Sequence, residues 1–368
     1  MRTDAPRPLR HRLKALIGAV RLFLWQRRDT LQRSRASRRA VAVVVRNARG
    51  AHAWLGTPTV TLRLANMYSS ESEIPEFRFF ADEVARLSDG ALRVRIVNGW
   101  TRARDRDEER TLLTDLAAGL ADLGWVGTRA VGATFGLRAL DPLEAPFLFD
   151  DAESVSRTLN SKVAAELASL VELSRLVGLV VLPGGMRRPL GLTRQLVTLS
   201  DWQGAVIRTH PSLVSDKTFR ALGAEPVLRH AGELRRPRPA GIDGMDLHAH
   251  AIAQWGYAGY FTWNVPLWPR TVLLIANRHS VDRLGHDLRS VVNQAAESMR
   301  TWVASAIRGA DEQERQAVPT QTQILLATPD ELAELRRAVE PVYDDLRHDR
   351  IAAAVLHQLE STIASERQ

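Results

Sequence analysis

From residue 60 onward the chain alternates between segments with the period of a strand and segments with the period of a helix. Val60–Ala65 and Ala91–Val97 alternate apolar with polar residues and are rich in branched side chains, which predicts strands. Ser70–Asp89 and Glu108–Ala121 carry apolar residues at helical spacing, and Gly90 ends the first of these helices. With a short apolar strand after the second helix, this order predicts an α/β fold with a mainly parallel sheet.

The alternation recurs in the second half and then gives way to helices. Further strands are predicted at Val177–Leu182, Gly204–Arg208, Glu225–Leu228 and Thr271–Ala276. Helices are predicted for Ser212–Leu222, for Leu247–Trp255 and for almost the whole chain after Val281. No internal repeat or low-complexity linker separates these segments, so two lobes of interleaved segments fit better than two consecutive domains.

Positive charge is concentrated before this alternating region. The chain has a formal net charge of +8, but residues 1–53 carry about +12 and the remainder about −4. A basic surface for nucleic acid would therefore have to lie in the N-terminal segment alone. We expect no nucleic-acid partner for the mildly acidic body.

Residues 1–58 are predicted to be a basic leader. Leu13–Trp25 is apolar but interrupted by Lys14 and Arg21, as in a helix that lies on an anionic membrane surface. Ala40–Val45 is followed by an Ala-His-Ala site at 51–53, the layout of a signal peptide, although its apolar core is shorter than the usual length. Two interpretations stay open: a degenerate export signal, or a disordered basic extension.

The sequence lacks the residues that several classes of chemistry require. The chain has no cysteine, which excludes disulfides, thiol catalysis and Cys-ligated zinc. It has no nucleophile elbow, no P-loop and no dinucleotide fingerprint, so we expect no cofactor and no nucleotide. No apolar run is long enough for an ordinary membrane span.

One pattern suggests a metal-dependent hydrolase as an alternative. His248 and His250 form an H-x-H pair, and Asp243 and Asp246 stand just before it. If residues 247–255 are helical throughout, the two histidines point about 200° apart and cannot share one ion. We therefore expect no metal site here.

Four stretches together resemble the extracytoplasmic solute-binding proteins of TRAP transporters, the DctP-like family. They are Phe79–Gly90 (FFADEVARLSDG), Asp141–Phe149 (DPLEAPFLF), Ser200–Arg208 (SDWQGAVIR) with the later ALGA at 221–224, and Gly241–Asp246 (GIDGMD). All occur in the family's order and spacing, and the resemblance covers about residues 59–310.

The resemblance implies a two-lobed, periplasmic-binding-protein-like α/β fold with a helical C-terminal tail. Lobe I would comprise 59–184 plus 274–312, and lobe II 185–273 plus 313–368. It further implies a monomeric, non-enzymatic protein outside the cytoplasm that closes on an organic acid and delivers it to TRAP permease subunits. A ligand-binding sensor of the same fold is the alternative.

Arg208 is the first candidate ligand-binding residue, because it ends a predicted strand at the sheet edge where α/β proteins bind ligands. Its guanidinium fits a carboxylate with two parallel hydrogen bonds. It also matches the position of the family's carboxylate-binding arginine. Arg187 and Arg188 occupy the place of a second cationic contact, and we expect one of them to face the cleft.

The remaining candidates come from the resemblance. Asn264 would contact the ligand through its amide, with Trp263 and Trp268 as pocket walls. Asp246 stands where the family has Glu, and Glu73 lies in a loop that contacts ligand in family members. The chain departs from the family at 99–110, where GWTRARDRDEER replaces a glycine-rich segment.

Overall fold

The predicted strand–helix–strand units near the start of the body form one edge of a ten-stranded sheet in the computed structural model. The structure describes residues 59–70, 73–100, 107–173, 175–234, 240–307 and 310–366. The predicted leader, residues 1–58, therefore lies outside the described residues. Val60–Gln368 forms one compact unit.

The strands are β1 Val60–Ala65, β2 Leu92–Val97, β3 Leu123–Gly127, β4 Leu176–Gly191, β5 Val206–Thr209, β6 Glu225–Leu228, β7 Gly244–Leu247, β8 Gly259–Thr262, β9 Trp268–Asn277 and β10 Thr322–Leu325. The first helices are α1 Pro75–Leu87, α2 Glu108–Ala117, α3 Thr128–Phe135, α4 Ala152–Leu159, α5 Lys162–Leu170, α6 Leu199–Trp202, α7 Leu213–Ala221 and α8 Ala231–Leu234. The later helices are α9 Ala249–Trp255, α10 Arg278–Asp282, α11 Gly285–Ala306, α12 Ala310–Gln316, α13 Pro329–Ala338, α14 Glu340–His348 and α15 Arg350–Glu366. A 3₁₀ helix spans Arg138–Glu144.

The strand order across the sheet is β2-β1-β3-β9-β4-β7-β5-β6, and β8 joins β10 to β4. β1 pairs in parallel with β2 and β3, and β5 pairs in parallel with β6 and β7. β9 and β4 are antiparallel to their neighbours. The expectation of a mainly parallel sheet is therefore wrong for its centre, because two long strands run against the parallel edges.

β4 and β9 connect the two parallel edges. β4 pairs with β9 from Leu176 to Arg187 and with β7 from Arg188 to Gly191. The register slips between Pro183 and Met186. At Gly184 and Gly185, which lie in this interval, the surrounding atoms are too close to accommodate a Cβ atom easily. This bulge bends the strands just before Arg187.

Apolar side chains cover both faces of the sheet. Phe77 and Phe80 of α1 pack with Met299 of α11 on one face of the first edge. Leu113 of α2 and Val131 of α3 pack on the other face. Around the second edge, one cluster includes Trp202, Phe219 and Trp268, and another includes Tyr257 and Phe261. This layering is the α/β architecture that the sequence predicted.

Two local predictions need correction. Leu247 ends strand β7, and the helix starts only at Ala249, because the His248 side chain caps its first turn. The region after Val281 is mostly helical, but Thr322–Leu325 forms β10 and pairs with β8. Four residues are too few to display a strand period within a helical region.

Candidate functional site

A cavity of about 470 Å³ lies where β4 and β9 pass from one edge of the sheet to the other. Its wall includes residues that follow the carboxyl ends of β1, β3 and β5: Tyr68, Arg129 and His210. Strand ends of this kind are where ligands bind in open α/β sheets. Trp125 and Trp255 add aromatic surface to the wall.

Among the described residues, four arginines line the cavity, each from a different element. Arg129 comes from α3, Arg187 from β4, Arg208 from β5 and Arg270 from β9. Their hydrogen-bond partners differ, and these partners determine which guanidinium is available to a ligand.

The Arg208 side chain is buried and has no acidic partner among the residues that the structure describes. Its Nε donates a hydrogen bond to the Arg229 carbonyl at 2.9 Å. Within the described part of the chain, no carboxylate oxygen lies within 4.0 Å of its guanidinium nitrogens. Burial lowers its pKa to about 10, with the Asp246 charge acting in the opposite direction. An anion in the cavity would supply the counter-charge that this cation lacks.

Arg187 lies beside Arg208 and is held by Asp246. Its Nη1 donates to Asp246 Oδ2 at 2.7 Å and to the Asp246 carbonyl at 3.1 Å. Asp246 itself is fully buried and does not line the cavity. It orients Arg187, which presents the rest of its guanidinium to the cavity.

A buried carboxyl group lies beneath these arginines. Glu144 Oε1 lies 3.0 Å from His210 Nε2, and Ser212 Oγ donates to Glu144 Oε2 at 2.5 Å. Burial raises the pKa of Glu144 to about 7, although Arg129 and Arg187 act to lower it. Burial lowers the pKa of His210 well below its usual value, so its imidazole is neutral at pH 7.

Arg129 has its own acidic partner. Its Nη2 donates to Glu109 Oε2 at 2.5 Å, and Glu109 Oε1 accepts from the Gly127 amide at 3.0 Å. These contacts and the Arg129 charge outweigh burial and lower the pKa of Glu109, so the carboxylate stays ionised. The pair contributes no net charge to the cavity.

Glu73 is on the cavity wall, but its carboxylate is occupied. Oε1 accepts from the amides of Ser69 and Ser70 at 3.0 Å each. Oε2 accepts from Gln254 Nε2 of α9 at 2.7 Å. Glu73 thus joins the loop after β1 to α9 across the cavity wall.

The other predicted site residues lie away from this cavity. Arg188 points to the opposite side of β4, where its guanidinium lies 4.1 Å from the Trp263 ring centroid and bonds Asp311 Oδ1 at 3.1 Å. The Asn264 amide bonds both the N–H and the carbonyl of Ala327, at 2.8 and 2.7 Å. Trp268 is buried against Phe219. In this conformation, the structure thus brings together Arg208, Arg187 and Glu73, and separates Arg188, Trp263 and Asn264 from them.

The two histidines of the alternative metal site do face the same way. Because the helix starts after His248, both rings line the cavity, with centroids 6.3 Å apart and planes within 4°. His248 Nδ1 is already used, since it accepts from the Ala251 amide at 3.3 Å. Within the described ranges, no group of three or more ligating side chains could hold a metal ion. The helical argument against a shared ion is therefore wrong in detail, because His248 stands outside the helix.

Sequence reasoning missed Arg129, Arg270, Tyr68, Glu109 and His210. Arginine supplies nearly all basic residues of this chain, so a single arginine carried little information. The rule that identified Arg208 would also have found Arg129, which lies two residues after the end of β3. Trp100 belongs to the segment where the chain departs from the family; its Nε1 donates to Asp115 at 3.1 Å. Residues 101–106 lie outside the described ranges.

Comparisons with known proteins identify relatives of this fold and sequence. Residues 67–236 match the sequence profile of a family described as bacterial extracellular solute-binding protein, family 7, or DctP. The C4-dicarboxylate-binding periplasmic protein DctP of Rhodobacter capsulatus is 21% identical over 306 residues, which are 77% of this chain and 85% of that protein. The resemblance found in the sequence motifs is confirmed.

Solved structures share the fold. A TRAP periplasmic solute-binding protein from Ochrobactrum anthropi is 23% identical with a TM-score of 0.71, covering 84% of this chain and 97% of that chain. One from Shewanella oneidensis with bound succinate is 18% identical with a TM-score of 0.71, covering 83% and 99%. One from Roseobacter denitrificans with bound β-D-glucuronate is 17% identical with a TM-score of 0.70, covering 82% and 98%. The α/β fold is thus that of TRAP solute-binding proteins.

Proposed function

We propose that this chain, which matches the DctP family model over residues 67–236 and shares the fold of TRAP solute-binding proteins, binds an organic acid and delivers it to a TRAP-type permease. The observation that carries the proposal is the buried Arg208 guanidinium in the cavity, which has no carboxylate partner among the described residues. A ligand carboxylate would complete it with two parallel hydrogen bonds. Arg187, held by Asp246, would add a second donor.

The ligand would be captured by closure of two lobes, 59–184 plus 274–312 and 185–273 plus 313–368. The change of β4 partner after Arg187 supports a boundary there, since β9 precedes it and β7 follows it. Cavity residues come from both sides of this boundary, with Trp125 on one side and Arg208 on the other. A ligand that touches both sides favours the closed state by its extra contacts.

The role is one of binding and release. We propose no catalytic group: the Arg208 and Arg187 guanidiniums would orient an anion, and His210 is engaged with Glu144. The protein would work outside the cytoplasm, as the description of its family states. In the described residues, no helix combines the length and apolar character needed to cross a membrane.

The test is a ligand screen on the full-length protein. Thermal shift against a panel of organic acids, with neutral sugars and amino acids as controls, identifies ligands because native-state binding raises the melting temperature. Calorimetry then gives the dissociation constant for the wild type and for Arg208→Gln. Loss of one partner of a buried charge pair costs about 3–5 kcal/mol, so we expect affinity to fall at least about a hundredfold.

Arg220→Gln is the matched control, because Arg220 is an exposed arginine on α7 that pairs with Asp216. It should bind the acid as the wild type does. Equal affinity of Arg208→Gln and the wild type would contradict the role of Arg208. Absence of a shift with every acid would contradict the proposed function.

A further inference from the structure

We propose that Glu73 and Gln254 form a hydrogen-bonded clasp across the mouth of the cavity and thereby slow the release of the bound acid. The inference deepens the proposed function, on which it rests, by naming two residues that set the rate of release. They are positioning residues, because each acts through the other. This role differs from the ligand contact that the family resemblance implied for Glu73.

The two side chains meet at the cavity from opposite sides of the sheet. Glu73 lies between β1 and α1 at the first edge, whereas Gln254 lies on α9, which follows β7 near the second edge. Gln254 Nε2 donates to Glu73 Oε2 at 2.7 Å, and both residues line the cavity. The contact is exposed, while Arg208 is buried, so the clasp lies nearer the mouth of the cavity than the proposed anchor does. It also joins proposed lobe I to proposed lobe II.

Glu73 is held firmly on its own side of the cavity. Its Oε1 accepts from the amides of Ser69 and Ser70 at 3.0 Å each and from Ser69 Oγ at 2.5 Å. Partial burial acts to raise the pKa of Glu73, but the hydrogen bonds from Ser69, Gln254 and Ser70 outweigh it and lower the pKa. The carboxylate is therefore ionised at neutral pH, and the bond from Gln254 is strengthened by its charge.

The acidic and basic groups of the cavity lie on different elements. Among the described residues, the carboxylates on its wall come from the segments that lead into α1 and α2: Glu73, Asp107, Glu108 and Glu109. The guanidiniums come from α3 and from three strands: Arg129, Arg187, Arg208 and Arg270. A ligand carboxylate is attracted to the guanidiniums and repelled by Glu73, so it does not compete with the neutral Gln254 amide for that position. The clasp can therefore stay closed while the acid is bound.

A contact between the two sides of the cavity affects mainly the escape of the ligand. The Glu73–Gln254 bond exists only when the segment before α1 and helix α9 are close together, so it favours the closed state. A ligand enters and leaves through the open state. Loss of the clasp should therefore raise the dissociation rate constant and leave the association rate constant nearly unchanged.

Exchange of the two side chains tests the clasp. Gln254→Glu places a second carboxylate opposite Glu73, where the like charges repel. Adding Glu73→Gln to this variant restores an amide–carboxylate hydrogen bond with donor and acceptor exchanged, and the amide oxygen at position 73 can still accept from Ser69 and Ser70. We expect Gln254→Glu to raise the dissociation rate constant about tenfold or more, and the double variant to return it to within about threefold of the wild type.

Stopped-flow fluorescence on the full-length protein measures both rate constants, since Trp125 and Trp255 line the cavity. The probe is the acid that gives the largest thermal shift in a panel that includes succinate and D-glucuronate. Gln294→Glu is the matched control, because Gln294 is an exposed glutamine on α11 whose amide bonds Ser290 of the same helix. It should associate and dissociate as the wild type does.

Small-angle scattering of the ligand-free proteins gives a second measurement that needs no acid. Gln254→Glu should have a larger radius of gyration than the wild type, because repulsion at the clasp favours the open state. The double variant should return to the wild-type value. Melting curves check that each variant is folded.

The outcomes separate the clasp from the proposed function. If an acid binds the wild type but leaves Gln254→Glu at the wild-type rate, the clasp is wrong and the proposed function stands. A double variant that releases the acid faster than either single variant would mean that each side chain touches the ligand by itself, which also overturns the clasp. If no acid binds the wild type, the proposed function is wrong and the scattering decides: opening in Gln254→Glu that the double variant reverses supports the clasp, and no opening overturns it.

Discussion

Arg187 Nη1 and Asp246 Oδ2 lie 2.7 Å apart, and the Asp246 side chain is entirely shielded from solvent. The same Nη1 also donates to the Asp246 carbonyl, so the guanidinium is fixed by side chain and main chain together. Because β4 pairs with β7 in this region, the contact is set by the register of the central sheet. The acid that the motif GIDGMD supplies thus positions a cavity arginine without touching the cavity.

Substitution of Asp246 tests this positioning role. Asp246→Asn keeps the size of the side chain but removes the counter-charge, leaving Arg187 free to turn. We expect a loss of about 3 kcal/mol in the free energy of unfolding, as for a broken buried ion pair, and a tenfold or larger loss of acid affinity. Urea unfolding and calorimetry measure the two effects.

Asp216→Asn is the control for that experiment, because Asp216 pairs with Arg220 on the exposed surface of α7. Exposed pairs contribute little, so its stability should change by less than about 1 kcal/mol. Wild-type affinity in Asp246→Asn would contradict the idea that Asp246 orients Arg187.

The neighbouring arginines Arg187 and Arg188 should behave oppositely. Successive side chains of a strand point to opposite faces, and only Arg187 lines the cavity. Arg187→Gln should lower acid affinity at least about tenfold. Arg188→Gln should leave affinity within about twofold and lower the free energy of unfolding by about 1–3 kcal/mol, because it removes the stack on Trp263 and the bond to Asp311.

Calorimetry measures the acid affinity of both variants, and urea unfolding measures their stability. Each variant is the control of the other. A large affinity loss in Arg188→Gln would mean that Arg188 reaches the ligand in another conformation, as the sequence resemblance allowed.

The strand-end rule explains why part of this site was predictable. Arg208 is the penultimate residue of β5, a short strand whose apolar residues are recognisable in the sequence, and a parallel strand ends at the ligand-binding edge. The choice between Arg187 and Arg188 was not accessible, because it depends on which face of β4 meets the cavity. That face is fixed by the register with β9 and β7, which is a long-range property.

The strand-end rule could not identify Arg270, and the reason is physical. It lies within β9, an antiparallel strand, and it reaches the cavity where the β4–β9 register slips between Pro183 and Met186. A bulge redirects side chains, and nothing in the sequence of β9 marks it. The strands near the edge of the sheet were easier to predict. β1, for example, has the bounds that its alternation of apolar and polar residues predicted.

The role of His248 as a helix cap leads to another prediction. Its side chain accepts from the Ala251 amide at the start of α9, whereas His250 is exposed within the helix. His248→Ala should lower the free energy of unfolding by about 1 kcal/mol, and His250→Ala should change it by less than half of that. His248→Asn, which keeps a capping acceptor, should restore most of the loss. Urea unfolding with and without zinc provides the measurement; an equal loss in both alanine variants, present only with zinc, would support the metal interpretation instead.

Glu144 should make the stability of the protein depend on pH. Its pKa is about 7 in the folded protein because burial outweighs the attraction of Arg129 and Arg187, while Asp246 adds repulsion. A carboxyl group whose pKa is raised by folding binds its proton more tightly in the native state. Its contribution to stability is therefore fully present below pH 4.5, declines as the pH rises, and is lost above about pH 7.

Glu144→Gln replaces the protonated carboxyl group with a neutral side chain that does not titrate. The free energy of unfolding of the variant minus that of the wild type should therefore increase by up to about 3 kcal/mol between pH 4.5 and pH 8, because only the wild type loses stability over this range. Taking the difference between variant and wild type removes the opposite contribution of His210 and His248, whose pKa values are lowered by burial. Urea unfolding across this pH range, with the exposed Glu334→Gln on α13 as a control that should show no such trend, measures the effect. A pH-independent difference for Glu144→Gln would mean that the carboxyl group is ionised throughout, held by Arg129, Arg187 and Ser212.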